Sequence, residues 1–558
     1  MAERVPSRDR WLLLGLTVFG MAARLGLAAL PRVIRWDEPD YLWLGRSLFS
    51  GRGYTIGPYP DLHYTPLLPI LAGPLTRLLP NLEWATAFWY VVCGSLWLWP
   101  VYGLARQVYG ARVALGAAVL AAAFPALTIS PLYWGTMTEP PYLLLLFCGL
   151  YTAYRAWWGG RLRFHAAAGA ALALAYLTRP EGVLYFGLVA LLFLATAIVE
   201  GRWRTGTWWR GFATFVLAWL LVAGPYLAYL RLQSGRWLVT GKVGVTLALG
   251  EGVVDRDPAA YDRAIASLDD AGREIVWFSP QRFQEPGLLD QLRAQPMGVA
   301  RRVAHNLLAW YGVFFSRLMF PLPLGMLAVL GLFATPWTRR QARGNLFLGA
   351  MLAPPFAFLT LHVEARFFAP LAPLLLIWTA AGVEALGRWL AGSWQSLWHG
   401  HPVPEQGSRY KRDLLVSACR GLPWGMVVLY LGLLWPGTLQ AGRASLDFGH
   451  KAMGLWLRDH TPPGAVVMAR DLAVPLYGER GYAPAPHATY EALHRYAQAH
   501  GATFWATDAY ELTVVKPHLA FLLDSQQRPP NLEAVYAQES RNGLNLVFRF
   551  SDAAGGEQ

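Results

Sequence analysis

Ionisable residues gather in a few short clusters of an otherwise apolar chain. Arg35-Trp36-Asp37-Glu38-Pro39-Asp40-Tyr41 holds three carboxylates within four residues. Asp37 also suits a helix N-cap, with Pro39 in the first turn and acidic residues favoured by the helix dipole. Both roles are compatible, since a capped helix fixes a carboxylate in place. His63-Tyr64-Thr65-Pro66 opens an apolar amphipathic stretch that runs through Leu79 and can lie in a membrane interface. Thr136-Met137-Thr138-Glu139-Pro140 supplies a lone glutamate that is also a fair cap. Thr178-Arg179-Pro180-Glu181-Gly182 is a tight turn in which Arg179 either snorkels or grips an anionic headgroup through paired N–H donors. His362-Val363-Glu364-Ala365-Arg366 offers either a local ion pair or a further acid–base cluster. Lys242, one of four lysines, starts a long polar loop. Carboxylates and basic residues of this kind, set together, suit a substrate with an anionic headgroup and a lipid tail.

The elements that must position them are membrane helices. The chain has 558 residues, 55% hydrophobic and 15% charged, against about 25% charged in an ordinary soluble protein. With 14% aromatic residues, it is also unlike a disordered chain. Its three cysteines, Cys93, Cys148 and Cys419, have no paired spacing, so neither a disulfide framework nor a cysteine metal site is expected. A spanning helix needs roughly 20 apolar residues. Eleven segments are candidates, approximately 11–30, 84–105, 113–129, 139–157, 164–178, 182–199, 211–230, 308–334, 345–361, 367–387 and 421–439. The first runs into Pro31-Arg32 without a small-residue cleavage site, so it reads as a span rather than a signal peptide.

The 48 Lys+Arg against 35 Asp+Glu give a net charge of +13. With the N-terminus inside, arginines such as Arg8, Arg10, Arg106, Arg112, Arg202 and Arg210 recur in the inner segments. The short outer loops at 130–138, 178–181 and 362–366 hold only Arg179 and Arg366. The basic excess is then topological, and nucleic acid is not a partner. On this reading every ionisable cluster named above faces outside. The expected architecture is an α-helical polytopic membrane protein of about eleven spans with a C-terminal extracytoplasmic α/β domain. Residues 1–440 form the membrane domain, with outer loops at 31–83 and 231–305, and residues 441–558 form the soluble domain. Helices at Phe448–His460 and about Ala488–His500 are expected there, with strands at Ala465–Ala469, Thr503–Thr507, Leu532–Ala537 and Leu544–Phe550. No internal repeat is evident.

The order of these motifs resembles a known family. The acidic pair after the first span, Tyr64-Thr65-Pro66-Leu67-Leu68-Pro69, Thr138-Glu139-Pro140, Thr178-Arg179-Pro180-Glu181-Gly182, Pro225…Gly235…Lys242 and Glu364-Ala365-Arg366-Phe367…Pro370 follow the pattern of bacterial GT-C glycosyltransferases. The similarity is to the branch of protein O-mannosyltransferases and lipid A aminoarabinose transferases, over roughly residues 10–385. Two departures stand out: His63-Tyr64-Thr65-Pro66 replaces a Pro-Pro element, and Glu139 stands alone where relatives carry Asp-x-Glu.

The resemblance implies inverting transfer of a monosaccharide from a polyprenyl-phosphate donor to an acceptor protein, lipid or glycan at the outer face of the cytoplasmic membrane. It implies Asp37 as general base or orienting carboxylate, with Glu38 beside it. Arg179, Lys242 and Arg366 would hold the donor phosphate, whose charge grows in the transition state. His63, Tyr64, Glu139, Glu181, His362 and Glu364 would position sugar or acceptor. No cofactor is implied, and a divalent metal is left open. Two other readings remain at this stage. One is a polymerase or ligase using diphosphate-linked glycans; the other is a transporter, which would more often display repeated halves and mid-membrane charges.

Overall fold

The computed structural model describes residues 6–79, 81–279, 288–397 and 406–551. Residues 280–287 of the expected long loop and 552–558 of the expected soluble domain lie outside the described residues. Six helices are long and apolar enough to cross a membrane: Ser7–Ala28, Glu83–Tyr109, Gly182–Val199, Gly206–Ser234, Leu371–Leu397 and Asp413–Ala444. A seventh span results if Ala111–Ala123 and Pro125–Leu132, bent by 60° at their break, count as one.

Against the eleven expected, six or seven candidates among the described residues have the length and hydropathy of a span, for local reasons. The segment 308–334 splits, with one helix ending at Phe314 and another starting at Leu322. Pro321 and Pro323 at that start cannot continue an earlier helix. The segment 345–361 breaks after Ala350, and Pro354-Pro355 open a 3₁₀ turn. Leu162–Thr178 has 17 residues and is short for a span. Glu139–Gly159 has the length, but Arg155 and its tyrosines and tryptophans dilute its apolar character.

Close packing within the bundle relies on small residues. The helices Leu322–Phe333 and Leu371–Leu397 cross where Gly331 meets Gly382. A Cβ at either glycine would lie 1.9 Å from a backbone oxygen of the other helix.

The C-terminal region is a five-stranded mixed sheet. Its strand order is Gly481–Pro484, Val466–Ala469, Ala502–Asp508, Gly543–Phe550 and Leu532–Ser540. The first three strands are mutually parallel, and the last two join antiparallel. The helices Gly449–His460 and Tyr490–Ala499 fall where the pattern predicts them. The strand 481–484 and the short helix Ala473–Gly478 were not expected.

This sheet domain is fastened to the helical bundle. Lys451 Nζ and Tyr477 Oη donate to Glu83 Oε1 at 2.5 and 2.9 Å, and Ile34 N–H donates to Tyr477 Oη at 2.9 Å. Arg35 reaches across to the Ser445 carbonyl at 2.6 Å.

Candidate active site

The segment 32–41 leads from the first spanning helix into the helix Glu38–Phe49. Two anchors hold it. Arg32 forms a bidentate pair with Glu38 at 2.9 and 3.1 Å and also donates to Thr86 Oγ1 at 2.9 Å, with both charged side chains buried. Glu38 N–H donates to the Gly135 carbonyl at 3.0 Å. Gly135 sits at φ +71°, where a Cβ would lie 2.5 Å from Trp36 Cδ1, so only glycine permits this approach. Trp36 itself has φ +56°, an uncommon conformation for a bulky residue.

Asp37 takes the N-cap position, but its side chain makes no capping hydrogen bond. It faces cations instead: Lys242 Nζ at 3.4 Å and Arg366 Nη1 at 4.0 Å. About a quarter of the carboxylate side chain is exposed. Burial raises its pKa, but Lys242 and Arg366 together outweigh burial and hold it below the ordinary carboxylate range.

The remaining residues divide into neighbours of this cluster and residues set apart from it. Arg366 pairs through Nε with Glu364 at 2.6 Å, and His362 Nε2 meets Glu364 at 3.0 Å. Burial pushes Glu364 up, yet Arg366 and His362 bring it down to about 2. Arg179 is buried, donating to Glu139 at 2.6 Å, to Thr138 at 3.1 Å and to Glu181 at 2.5 Å. Burial alone would weaken its charge; Glu181 and Glu139 reverse that and raise its pKa. Arg179 and Arg366 both lie over the Phe367 ring, at 5.8 and 5.4 Å. Lys242 Nζ lies 3.8 Å above the Tyr64 ring. Asp37, Lys242, Tyr64, Arg179, Glu139, Glu181, His362, Glu364 and Arg366 thus converge from six distant segments. Glu38 is set apart, fully buried against Arg32. His63 is also set apart: its ring binds Asp61 at 2.9 Å and stacks on Trp277 at 3.3 Å between centroids.

Asp37 also lines a chamber of about 560 Å³, between the helix Glu38–Phe49 and the sheet domain. Asp40, one helical turn from Asp37, lines it together with Tyr64. Burial and the Asp37 charge push Asp40 well above the ordinary carboxylate range, while Asp37 on the same helix face is held below it. At the far wall His450 bridges Asp471 and Asp508, 2.8 Å from each. Burial lowers its pKa, but these two carboxylates carry it up to about 10. Among the described residues no group of three or more His, Cys, Asp or Glu could hold a metal ion.

Reading the sequence missed Asp40 as a separate group, along with Asp61, Trp277 and the His450 bridge. The three-residue spacing from Asp37 marks Asp40 as sharing its helix face. Asp471 and Asp508 stand at the carboxyl ends of parallel strands, where ligands gather in open α/β sheets. Trp277 carries no comparable signal.

In fold, and over part of its sequence, the chain is similar to multi-pass membrane glycosyltransferases. Residues 63–248 match the family described as dolichyl-phosphate-mannose-protein mannosyltransferase. The chain is similar to ArnT from Cupriavidus metallidurans in the apo state, at 14% identity and a TM-score of 0.59, covering 99% of this chain and 100% of that one. It is similar to the same protein bound to undecaprenyl phosphate, at 13% identity and a TM-score of 0.55 over 98% and 99% of the two chains. It also resembles the apo oligosaccharyltransferase of Archaeoglobus fulgidus, at 15% identity and a TM-score of 0.55 over 97% of this chain and 75% of that one. No curated protein matches the chain.

Proposed function

We propose that this protein transfers a monosaccharide from a polyprenyl-phosphate carrier to an acceptor oxygen at the outer membrane surface, with inversion at the anomeric carbon. The observation that carries the reading is the position of Asp37, which faces two cations and also lines a chamber. The lipid phosphate binds at Lys242 and Arg366, with Arg179 behind them held by Glu139 and Glu181. The acceptor enters from the chamber. Its oxygen attacks the anomeric carbon in line, the bond from that carbon to the phosphate oxygen breaks, and the phosphate leaves with the electron pair. Asp37 takes the proton of an acceptor hydroxyl.

In the unliganded protein the two cations make Asp37 a weak base. A donor phosphate recruits the same cations and relieves that hold, so Asp37 becomes more basic when the donor is in place. Donor binding thereby prepares the base. Glu364 and His362 keep Arg366 in position, and Tyr64 does the same for Lys242. The arginine-rich inner segments support the outer-face assignment. The soluble region 441–558 would then lie outside, over the site. The ArnT structure bound to undecaprenyl phosphate supports a carrier of that chemical type.

The test is turnover of undecaprenyl-phosphate monosaccharides by the purified protein, with membrane extract as acceptor source. Acceptor-dependent release of undecaprenyl phosphate from one donor is expected. Turnover of diphosphate-linked donors alone would overturn the reading in favour of a polymerase or ligase.

A further inference from the structure

The chamber that Asp37 lines has a chemistry of its own. Its wall on the sheet side is built by Arg470 and Asp471 after the strand 466–469, Pro484 and Ala485 at the end of 481–484, and Asp508 and Tyr510 at the end of 502–508. All three strands are parallel and present their carboxyl ends here. From the strand 466–469 the chain leads first to a neighbour on one side, 481–484, and then to one on the other, 502–508. That reversal opens a crevice at the carboxyl ends, the recurring ligand position of open α/β sheets. His450 spans this crevice, held by Asp471 and Asp508. The volume, about 560 Å³, falls within the roughly 300–1,000 Å³ of pockets that enclose small molecules.

The charges of the wall exclude one class of ligand. Six carboxyl side chains (Asp37, Asp40, Asp262, Asp447, Asp471 and Asp508) face three cations, Arg35, His450 and Arg470. Each cation is already engaged: Arg35 by Ser445 and Tyr133, His450 by its two aspartates, and Arg470 by Asp262 at 2.8 Å. A phosphate would meet a net negative wall. The rest of the lining pairs flat aromatic faces with amides, as in Trp277, Tyr482, Tyr510, Asn542 and Asn545. Aromatic faces suit the C–H surface of a sugar ring, while carboxylates and amides match its hydroxyls. An extended peptide is less well served, because the chamber meets strand ends rather than a strand edge that could continue a backbone ladder.

We propose that this chamber is the acceptor site and that it receives the uncharged sugar terminus of a glycan, which attacks through a hydroxyl group. The inference rests on the donor reading above for the role of Asp37, but the binding chemistry of the chamber is independent of it. The acceptor hydroxyl approaches the anomeric carbon from the chamber, which Asp37, Asp40 and Asp447 line.

The test uses the full chain in nanodiscs and two binding measurements. Saturation-transfer NMR reads a panel of methyl hexosides, methyl N-acetylhexosaminides and their disaccharides, with hexose 6-phosphates and a Ser/Thr peptide alongside. Flotation with vesicles containing undecaprenyl phosphate reads the donor side. At least one neutral saccharide is expected to bind, about tenfold more tightly than its phosphorylated form. Tyr510→Ala and Asn542→Ala, both at exposed positions, are each expected to weaken it about tenfold and to leave vesicle binding unchanged. Preference for the phosphorylated sugar or the peptide, saccharide binding that survives both substitutions, or no saccharide binding beside intact vesicle binding would overturn the inference. Saccharide binding without vesicle binding would instead overturn the donor reading and leave the chamber assignment standing.

Discussion

Replacing Asp37 by Asn removes the charge at the junction of the two half-sites and keeps the shape. Three effects follow with different signs. The side chain makes no capping hydrogen bond, so the helix Glu38–Phe49 loses little and the unfolding midpoint should stay near that of the parent. Without a proton acceptor, transfer to a hydroxyl should fall about 10²–10⁴-fold, or about 2.7–5.5 kcal/mol in the barrier. Donor binding should move the other way. Lys242 at 3.4 Å and Arg366 at 4.0 Å lose a competitor for the phosphate. For a pair about a quarter exposed that competition amounts to about 1 kcal/mol, a gain of about fivefold in donor affinity. The assay is single-turnover transfer by purified protein, with undecaprenyl-phosphate binding measured separately on the same preparation. A variant that turns over like the parent removes Asp37 from the chemistry. A variant that loses donor binding along with rate makes Asp37 part of the donor site and refutes the division into cationic and acceptor sides.

Other substitutions separate structural from chemical roles. Glu38→Gln strands a buried arginine, and losing one partner of such a pair costs about 3–5 kcal/mol; a large drop in thermal midpoint is expected, and a stable variant with impaired transfer would argue for a catalytic Glu38. Arg179→Lys keeps the charge but cannot reach Glu139, Thr138 and Glu181 together. It should weaken donor binding, and unchanged affinity in the vesicle assay would reduce Arg179 to a packing role. In pH profiles, kcat/KM reports the free enzyme, and Asp37 there titrates below its ordinary value of about 3.9. Asp37 stays charged down to that range, so its acidic limb should lie below about pH 4. Lys242→Met removes a stabilising cation and should move the limb upward; a limb that stays put would detach Lys242 from Asp37.

The membrane class, the C-terminal mixed-sheet region and most of its elements were legible because hydropathy and strand alternation are local properties. The count of spans was not. Apolar runs such as 308–334 do not reveal that Pro321 and Pro323 divide them. The strand 481–484 was hidden for the opposite reason: four residues ending in proline carry too little pattern to register. Within the site, shared sidedness pointed to the residues around Asp37, and their contacts do bring Lys242, Arg179 and Arg366 near it. Glu38 and Asp37, adjacent in sequence, could not be told apart before the partner of each was known. The chamber was invisible because its walls come from residues 35 to 545, joined only by tertiary contacts.

Glu83 begins a helix long and apolar enough to cross a membrane, yet it is bound by Lys451 and Tyr477 of the sheet domain, and Tyr477 also accepts from the Ile34 amide. Two charged or hydroxyl groups from outside the bilayer thus terminate on one carboxylate at the top of a span. The bundle and the sheet domain are coupled as a single cooperative unit, so heat or denaturant should melt both in one transition. A truncated protein ending near residue 440 would not be a bundle with its lid removed; it would be a bundle whose Glu83 has lost Lys451 and Tyr477.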